Sequence, residues 1–248
     1  GSDVVTLGGS GGGVFADRNA GSGKAVTVSG YVLGGTDGGN YNLRSQIGLN
    51  ADILRASVAV QGMSASNKTY DGGTAAMLTG SAYVTGLGGD QLIVGGSGVA
   101  SFVDKNAGAG KAVLVSGFTL GGADSGNYEL VQPSGLTANI ARAGLALEGL
   151  TVADKVYDGT TAATLSGNVS VRGIGADQVS VSGSGTASFV DKRAGAGKAV
   201  TVAGFTLSGD DAGNYMILPS GGLSATIGKA DLVVRGLTAL NKTYDGGT

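Results

Sequence analysis

The sequence predicts an all-β chain: tandem 87-residue β-sandwich modules, Ig-like in the loose sense, set end to end as an extended rod. Three observations predict it. Short runs of Val, Leu, Ile, Thr and Ser alternate and are closed at short intervals by Gly, Asn or Asp, the pattern of short antiparallel strands. No long stretch keeps helical i, i+3, i+4 spacing. Motifs recur at a constant step of 87 residues, the size of a small domain rather than of a 20–50-residue solenoid repeat.

The step is read from four sets of residues. Tyr70-Asp71-Gly72 returns as Tyr157-Asp158-Gly159 and Tyr244-Asp245-Gly246. Phe15, Phe102 and Phe189 each stand two residues before Asp17, Asp104 and Asp191. Gly-Lys-Ala-Val recurs at Gly23, Gly110 and Gly197, and Gly-Asn-Tyr at Gly39, Gly126 and Gly213. No insertion or deletion breaks the register. The organisation that follows is the later part of a repeat over 1–57, complete repeats over 58–144 and 145–231, and the opening of another over 232–248. The two complete copies agree at about half their positions, far beyond composition. A chain that opens and closes inside repeats implies a longer parent.

Composition narrows the classes. Of 248 residues 50 are Gly and only 2 are Pro, with no Gly-X-Y period, which excludes collagen. Hydrophobic residues make up 42%, too many for a disordered linker, but large aromatics are few, so many small cores suit the chain better than one large one. Net charge is −2 without a basic cluster, which argues against nucleic acid as a partner. No apolar run reaches the roughly 18 residues of a membrane span, so membrane insertion is not expected. Cys and His are absent, removing thiol nucleophiles, thiolate metal sites and the commonest general base. No cofactor and no catalytic residue is expected.

Strands are expected near 58–62, 74–79, 82–86, 91–95, 99–103, 111–120, 127–131 and 135–142. Within 111–120, Val113 and Val115 share one parity while Phe118 and Leu120 take the other. A one-residue slip turns a strand face inside out, so Gly117 at the phase change calls for a bulge or bend, as do Gly30 and Gly204. The run 136–140 alternates cleanly and leads without a Pro- or Ser-rich linker into Leu145, so inter-repeat bending should be limited. The alternative fold is a β-grasp-like module with one short helix in its Gly-rich middle.

The string Lys155-Val156-Tyr157-Asp158-Gly159-Thr160-Thr161-Ala162-Ala163 resembles the opening of the YDG repeat. So do Phe189-Val190-Asp191-Lys192, the Ala-Gly-x-Gly-Lys segment at 194–198, Asp211-Ala212-Gly213-Asn214-Tyr215, and Leu223-Ser224-Ala225-Thr226-Ile227. The resemblance covers nearly the whole chain. YDG and the related MBG repeats are β-rich modules of large bacterial surface proteins, many similar to filamentous haemagglutinins exported by two-partner secretion. The resemblance implies a secreted or cell-surface location, an outer-membrane secretion partner, and a parent active in adhesion, aggregation or biofilm formation.

The recurrent polar residues allow a sharp and a plain reading each. Tyr70-Asp71-Gly72 and Tyr157-Asp158-Gly159 suit a tight turn with positive φ at the Gly, the Tyr ring packed and its hydroxyl hydrogen-bonded. Asp104 and Asn106 fall short of the six to eight oxygens of a Ca²⁺ site, and Arg193 replaces Asn106 one repeat on, so Asp104 and Asp191 are read as capping a turn. Asp124, Asn127 and Tyr128, with Asp211, Asn214 and Tyr215, suit an Asx-stabilised loop with a tyrosine corner. Phe102 and Phe189 are core candidates. Asp210-Asp211, the one adjacent acidic pair, is not repeated and does not make a glycosidase dyad. Lys111 and Asn127 are the recurrent residues from which a Lys–Asn isopeptide bond would be made, with Asp124 as the nearby recurrent carboxylate that the chemistry requires.

The expected function is a stalk whose partners are neighbouring repeats of the same chain. The alternative is an array of carbohydrate-binding modules contacting a matrix polysaccharide or host glycan. The missing Trp argues against the alternative, because sugar sites offer aromatic platforms.

Overall fold

The computed structural model describes residues 2–44, 47–219 and 221–248. It is all-β. Among the described residues the helical elements are three 3₁₀ turns, Gly38–Asn40, Ser125–Asn127 and Ala212–Asn214. The short helix of a β-grasp module has no counterpart among them. The chain forms two compact units. The first takes Gly1–Lys68, Thr74–Asp104 and Ala109–Asn139; the second takes Thr69–Gly73, Lys105–Gly108 and Ile140–Thr248. Two short turns of the 58–144 repeat therefore belong to the second unit.

In the second unit a five-stranded sheet runs in the order Lys155–Val156, Ser224–Gly228, Gly195–Ala203, Thr186–Phe189, Ala162–Ala163. Thr186–Phe189 shows why: Ala187 and Phe189 are buried while Thr186 and Ser188 face out, the period-2 alternation of a half-buried strand. Ala187, Phe189, Val200, Ala225 and Ile227 make the core. Val152 and Leu165 close over it from a separate antiparallel pair, Thr151–Val152 with Leu165–Ser166, so the core lies between two layers. Residues 87 earlier, Ala100, Phe102, Val113, Ala138 and Ile140, are buried too.

Not every pair is antiparallel, as the alternation alone suggests. Ala143–Leu145 runs parallel to Tyr215–Ile217, and Lys155–Val156 runs parallel to Ser224–Gly228. In the first unit Ala56–Ala59 likewise runs parallel to Tyr128–Val131. Parallel pairing needs a long crossover, and the opening and closing strands of a repeat are separated by most of its length. The strands expected over 74–79 and 82–86 are instead Ala75–Ala76 and a single strand, Leu78–Tyr83, which spans the gap between them and stops before 84–86. The segment after it makes a turn in which Asp90 N–H donates to the Leu87 carbonyl, 3.0 Å, with positive φ at Gly88 and Gly89.

The phase change at Gly117 is a change of sheet partner. Gly108–Ser116 pairs with Val99–Phe102, and Thr119–Gly121 pairs with Ile93–Gly95. Gly117, at φ 89°, turns the chain between them and keeps Val113 and Phe118 both buried, 3% and 9% exposed. Gly204, at φ 90°, does the same between Gly195–Ala203 and Thr206–Ser208. In the earlier copy the Gln132 side chain clamps this corner: it accepts from Phe118 N–H at 3.1 Å and donates to the Phe118 carbonyl at 2.9 Å. Pro219 stands in its place one repeat later. A Cβ at Gly117 would lie 2.9 Å from the Ser97 carbonyl oxygen, and one at Gly204 would lie 3.0 Å from that of Ser184. Gly117→Ala and Gly204→Ala are each expected to cost about 2 kcal/mol, from the left-handed conformation plus this crowding. Urea unfolding measures it; a loss below about 0.5 kcal/mol would mean the corner relaxes.

Candidate functional site

The Tyr-Asp-Gly strings form turns. Gly72 and Gly159 have φ 80° and 81°. Asp71 Oδ1 accepts from Gly73 N–H at 2.9 Å, and Asp158 Oδ1 accepts from both Thr160 N–H and the Thr160 hydroxyl at 2.9 Å. The lysine two residues before the Tyr grips the turn. Lys155 Nζ donates to Asp158 Oδ1 at 2.8 Å and to the carbonyls of Thr160 and Ala162 at 2.9 Å. It also lies 5.7 Å from the Phe189 ring centroid, as Lys68 lies 5.6 Å from that of Phe102, so the turn is anchored to the core. The Lys155 ammonium, with the Thr160 donors, holds the Asp158 carboxyl at about 2.

A second turn carries Asp104 and its counterparts. Asp17 and Asp191 accept from the N–H two residues on, Asn19 and Arg193, at 2.8 Å, as Asx turns do. Asp104 and Asp191 each pair with a lysine seven residues later, Lys111 and Lys198, at 2.6 Å. Lys111 therefore lies on Asp104, while Asn127 accepts from Ala20 N–H; the three residues of the isopeptide reading have other partners.

The remaining recurrent residues converge. In the second unit, Asp177 sits at the centre of a buried cluster. Its Oδ2 accepts from the hydroxyls of Tyr70 at 2.6 Å and Tyr215 at 2.7 Å, and its Oδ1 from Lys105 Nζ at 2.7 Å. The two Tyr rings meet edge to face, 5.3 Å between centroids at 78°. The Tyr215 hydroxyl accepts from Ile174 N–H at 2.8 Å. Asp211 lies 3.3 Å from Lys105 Nζ and accepts from Gln178 N–H at 2.9 Å. Asn214, buried, accepts from Ala107 N–H at 2.8 Å.

Tyr70, Lys105 and Ala107 belong to one repeat; Asp177, Asp211, Asn214 and Tyr215 belong to the next. The first unit repeats the design 87 residues earlier. Arg18 Nη2 lies 3.0 Å from both Asp90 and Asp124, Ala20 N–H donates to Asn127 at 2.8 Å, and Tyr128 donates to Asp90 at 2.8 Å. The Tyr128 hydroxyl reaches the backbone as a tyrosine corner does, accepting from Leu87 N–H at 2.8 Å, but it also serves the carboxylate. Asp124 and Asp211 make no side-chain cap on their own 3₁₀ turns. Each bridges instead to the segment holding Asp90 or Asp177, accepting from Gln91 N–H or Gln178 N–H at 2.9 Å.

Sequence reasoning missed Asp90, Asp177 and Lys105 as members of this cluster. A signal was present. Asp recurs at 3, 90 and 177, and each of the three accepts from a recurrent Tyr, the first from Tyr41 at 2.6 Å. A cation recurs at 18, 105 and 192. Among the described residues no three His, Cys, Asp or Glu side chains gather as a metal site requires.

Electrostatics fix the pH range of the cluster. The Lys105 ammonium and the hydroxyls of Tyr70 and Tyr215 hold the Asp177 carboxyl at about 2, below its ordinary 3.8. A depressed carboxyl stabilises the fold above about pH 4, and that contribution is lost as pH falls toward 2. Burial, then the hydrogen bond to Asp177, pushes the Tyr215 phenol from 10.0 up to about 12. A raised phenol stabilises the fold below pH 10, and that contribution is lost as pH rises toward 12. Thermal unfolding is therefore expected to be flat between about pH 5 and 9 and to fall on both sides. An acid limb unchanged by Asp177→Asn would remove the cluster from this account.

No curated protein and no solved structure shows significant similarity to the chain. The YDG domain, by contrast, matches it three times, over residues 1–48, 55–135 and 141–222, together most of its length. The chain belongs to the YDG domain family.

Proposed function

We propose that the chain is part of the stalk of a large bacterial surface adhesin, a stiff rod of repeats that spaces an adhesive region from the cell in adhesion, aggregation or biofilm formation. One observation carries the reading. The recurrent polar residues are spent on the joint between consecutive repeats: Tyr70 and Lys105 of one on Asp177 and Tyr215 of the next. A hydrogen-bonded, ion-paired joint resists bending as a linker of Gly and Ser cannot. Three of the repeated tyrosines are likewise occupied, whereas Tyr41 and Tyr157 are 50% and 38% exposed. Tyr70, Tyr128 and Tyr215 are buried and so offer no open platform to a sugar. The secreted location and an outer-membrane secretion partner follow the family resemblance.

Small-angle scattering of the full chain tests the rod, with a maximum dimension several times the cross-section as the expected result and a compact particle as the contrary one. Glycan-array binding by the same chain tests the carbohydrate reading. Strong, selective retention there would move the function from spacing to recognition.

A further inference from the structure

Two tyrosines from consecutive repeats share one acceptor atom. Tyr70 donates to Asp177 Oδ2 at 2.6 Å, and Tyr215 donates to the same oxygen at 2.7 Å. Both tyrosines belong to the second unit, and each is 2% exposed. The rings meet edge to face with centroids 5.3 Å apart. Ring packing accounts for that contact but not for the hydroxyls. Two phenols on one carboxylate oxygen hold their hydroxyls, and the ortho carbons beside them, next to each other.

Oxidative coupling of two phenols needs this arrangement. A phenol that loses an electron becomes strongly acidic, so a hydrogen-bonded base that takes the proton in the same step eases the electron's departure. Asp177 is that base for both rings. Lys105 adds a constraint: its Nζ lies 5.9 Å from the Tyr70 ring centroid, where it opposes positive charge on the ring. The electron therefore leaves together with the proton and gives a neutral phenoxyl radical. Burial then selects the partner. A radical on either ring has the other ring beside it, whereas Tyr83, 51% exposed, has solvent. The cluster opens to water at the Lys105 side chain, 37% exposed, which gives the proton a way out past an Asp177 side chain only 6% exposed.

We propose that Tyr70 and Tyr215 are a site of dityrosine cross-linking, with Asp177 as the proton acceptor and an inorganic peroxide as the oxidant. Each phenol loses one electron, and its hydroxyl proton passes to Asp177 and on to water. The two radicals join through their ortho carbons. The hydrogens displaced from those carbons move to the oxygens and restore both phenols. The pair has then lost two electrons and two protons. The peroxide takes up both by breaking its O–O bond, so hydrogen peroxide becomes two waters. The new bond ties the opening turn of one repeat to the strand Tyr215–Ile217 of the next and closes a loop longer than a repeat. In the chain-entropy account, closing so long a loop strongly restricts the unfolded chain. The chemistry rests on the Asp177 cluster and not on the stalk reading, so either can fail without the other.

Photo-oxidation of the full chain tests it, with ruthenium tris(bipyridine) as sensitiser and persulfate as the peroxide, which ends as two sulfates. At about 1 µM chain, coupling between molecules falls far behind coupling within one. Dityrosine fluorescence is expected, and peptide mapping should find the tryptic peptides 69–105 and 199–229 joined, two hydrogens lighter than their sum. Tyr83 lies in the first of these peptides, so Tyr83→Phe should keep the link. Tyr70→Phe and Tyr215→Phe retain the ring, lose only the hydroxyl, and should each abolish it. Asp177→Asn keeps an acceptor oxygen but takes no proton, so the link should form at least about tenfold more slowly. Circular dichroism confirms that each variant is folded. Oxidation of the exposed tyrosines that leaves Tyr70 and Tyr215 unlinked overturns the proposal. So does a link between the two peptides that survives Tyr70→Phe, and so does an unchanged rate in Asp177→Asn.

Discussion

Phe189→Ala is expected to destabilise the second unit by about 3–5 kcal/mol, the largest single loss for any side chain in its core. Phe189 is 2% exposed, and the residues around it are small or branched: Ala187, Val200, Ala225 and Ile227. Two of these are alanines, which cannot lean in to fill the space. The cavity term is therefore retained in full rather than relaxed away. The loss is large against the total, because a domain of this size is held by only about 5–15 kcal/mol. The ring also supports Lys155, whose ammonium binds the Tyr157-Asp158-Gly159 turn, so the turn should loosen with the core. Urea unfolding followed by circular dichroism measures the loss. Val190→Ala, next in sequence but 62% exposed, is the control and should change stability by less than about 0.5 kcal/mol. Equal losses at the two positions would show that the core is not where the buried areas put it.

Much of this arrangement is legible in the sequence, and its limits have a physical cause. Parity along a strand is local information. It marks Gly117 and Gly204 as corners, and both have positive φ where the chain changes sheet. Asp-Gly is also local, and Gly72 and Gly159 are turns. Pairing partners are not local. The parallel pairing of Ala143–Leu145 with Tyr215–Ile217 brings together segments some seventy residues apart, which no short-range pattern encodes. The joint is harder still. Tyr70 and Asp177 are 107 residues apart and Lys105 and Asp177 are 72 apart, neither a multiple of the repeat. Recurrence says that a residue is needed; it does not say by what. Variation then carries information that recurrence lacks. Positions 18, 105 and 192 change between Arg and Lys but stay cationic, as a carboxylate partner requires, while 19, 106 and 193 change from Asn to Arg. The change at 106 and 193 argues against a Ca²⁺ site, and the exchange at 18 and 105 is the kind an ion-paired joint tolerates.

Asp177→Ala should therefore act on two repeats at once. The substitution leaves two phenolic hydroxyls, Tyr70 and Tyr215, with their shared acceptor removed in a site where both rings are buried. Each stranded hydroxyl costs about 1–3 kcal/mol, and the loss of the Lys105 pair adds little because that ammonium is partly open to solvent. A total of about 3 kcal/mol is expected, read from the urea midpoint of the second unit. Asp177→Asn keeps an acceptor oxygen for the hydroxyls and loses the charge, so it should cost less than the alanine while still reducing the acid limb of the pH profile, to which Asp158 also contributes. A double-mutant cycle with Tyr70→Phe separates joint from core. Asp177 and Tyr70 should couple by about 1–2 kcal/mol, whereas Asp177 and Phe189 should add independently. Additivity of Asp177 with Tyr70 would mean that the hydroxyl contributes nothing to the joint, and the case for a stiff connection would then rest on the Lys105 and Asn214 contacts alone.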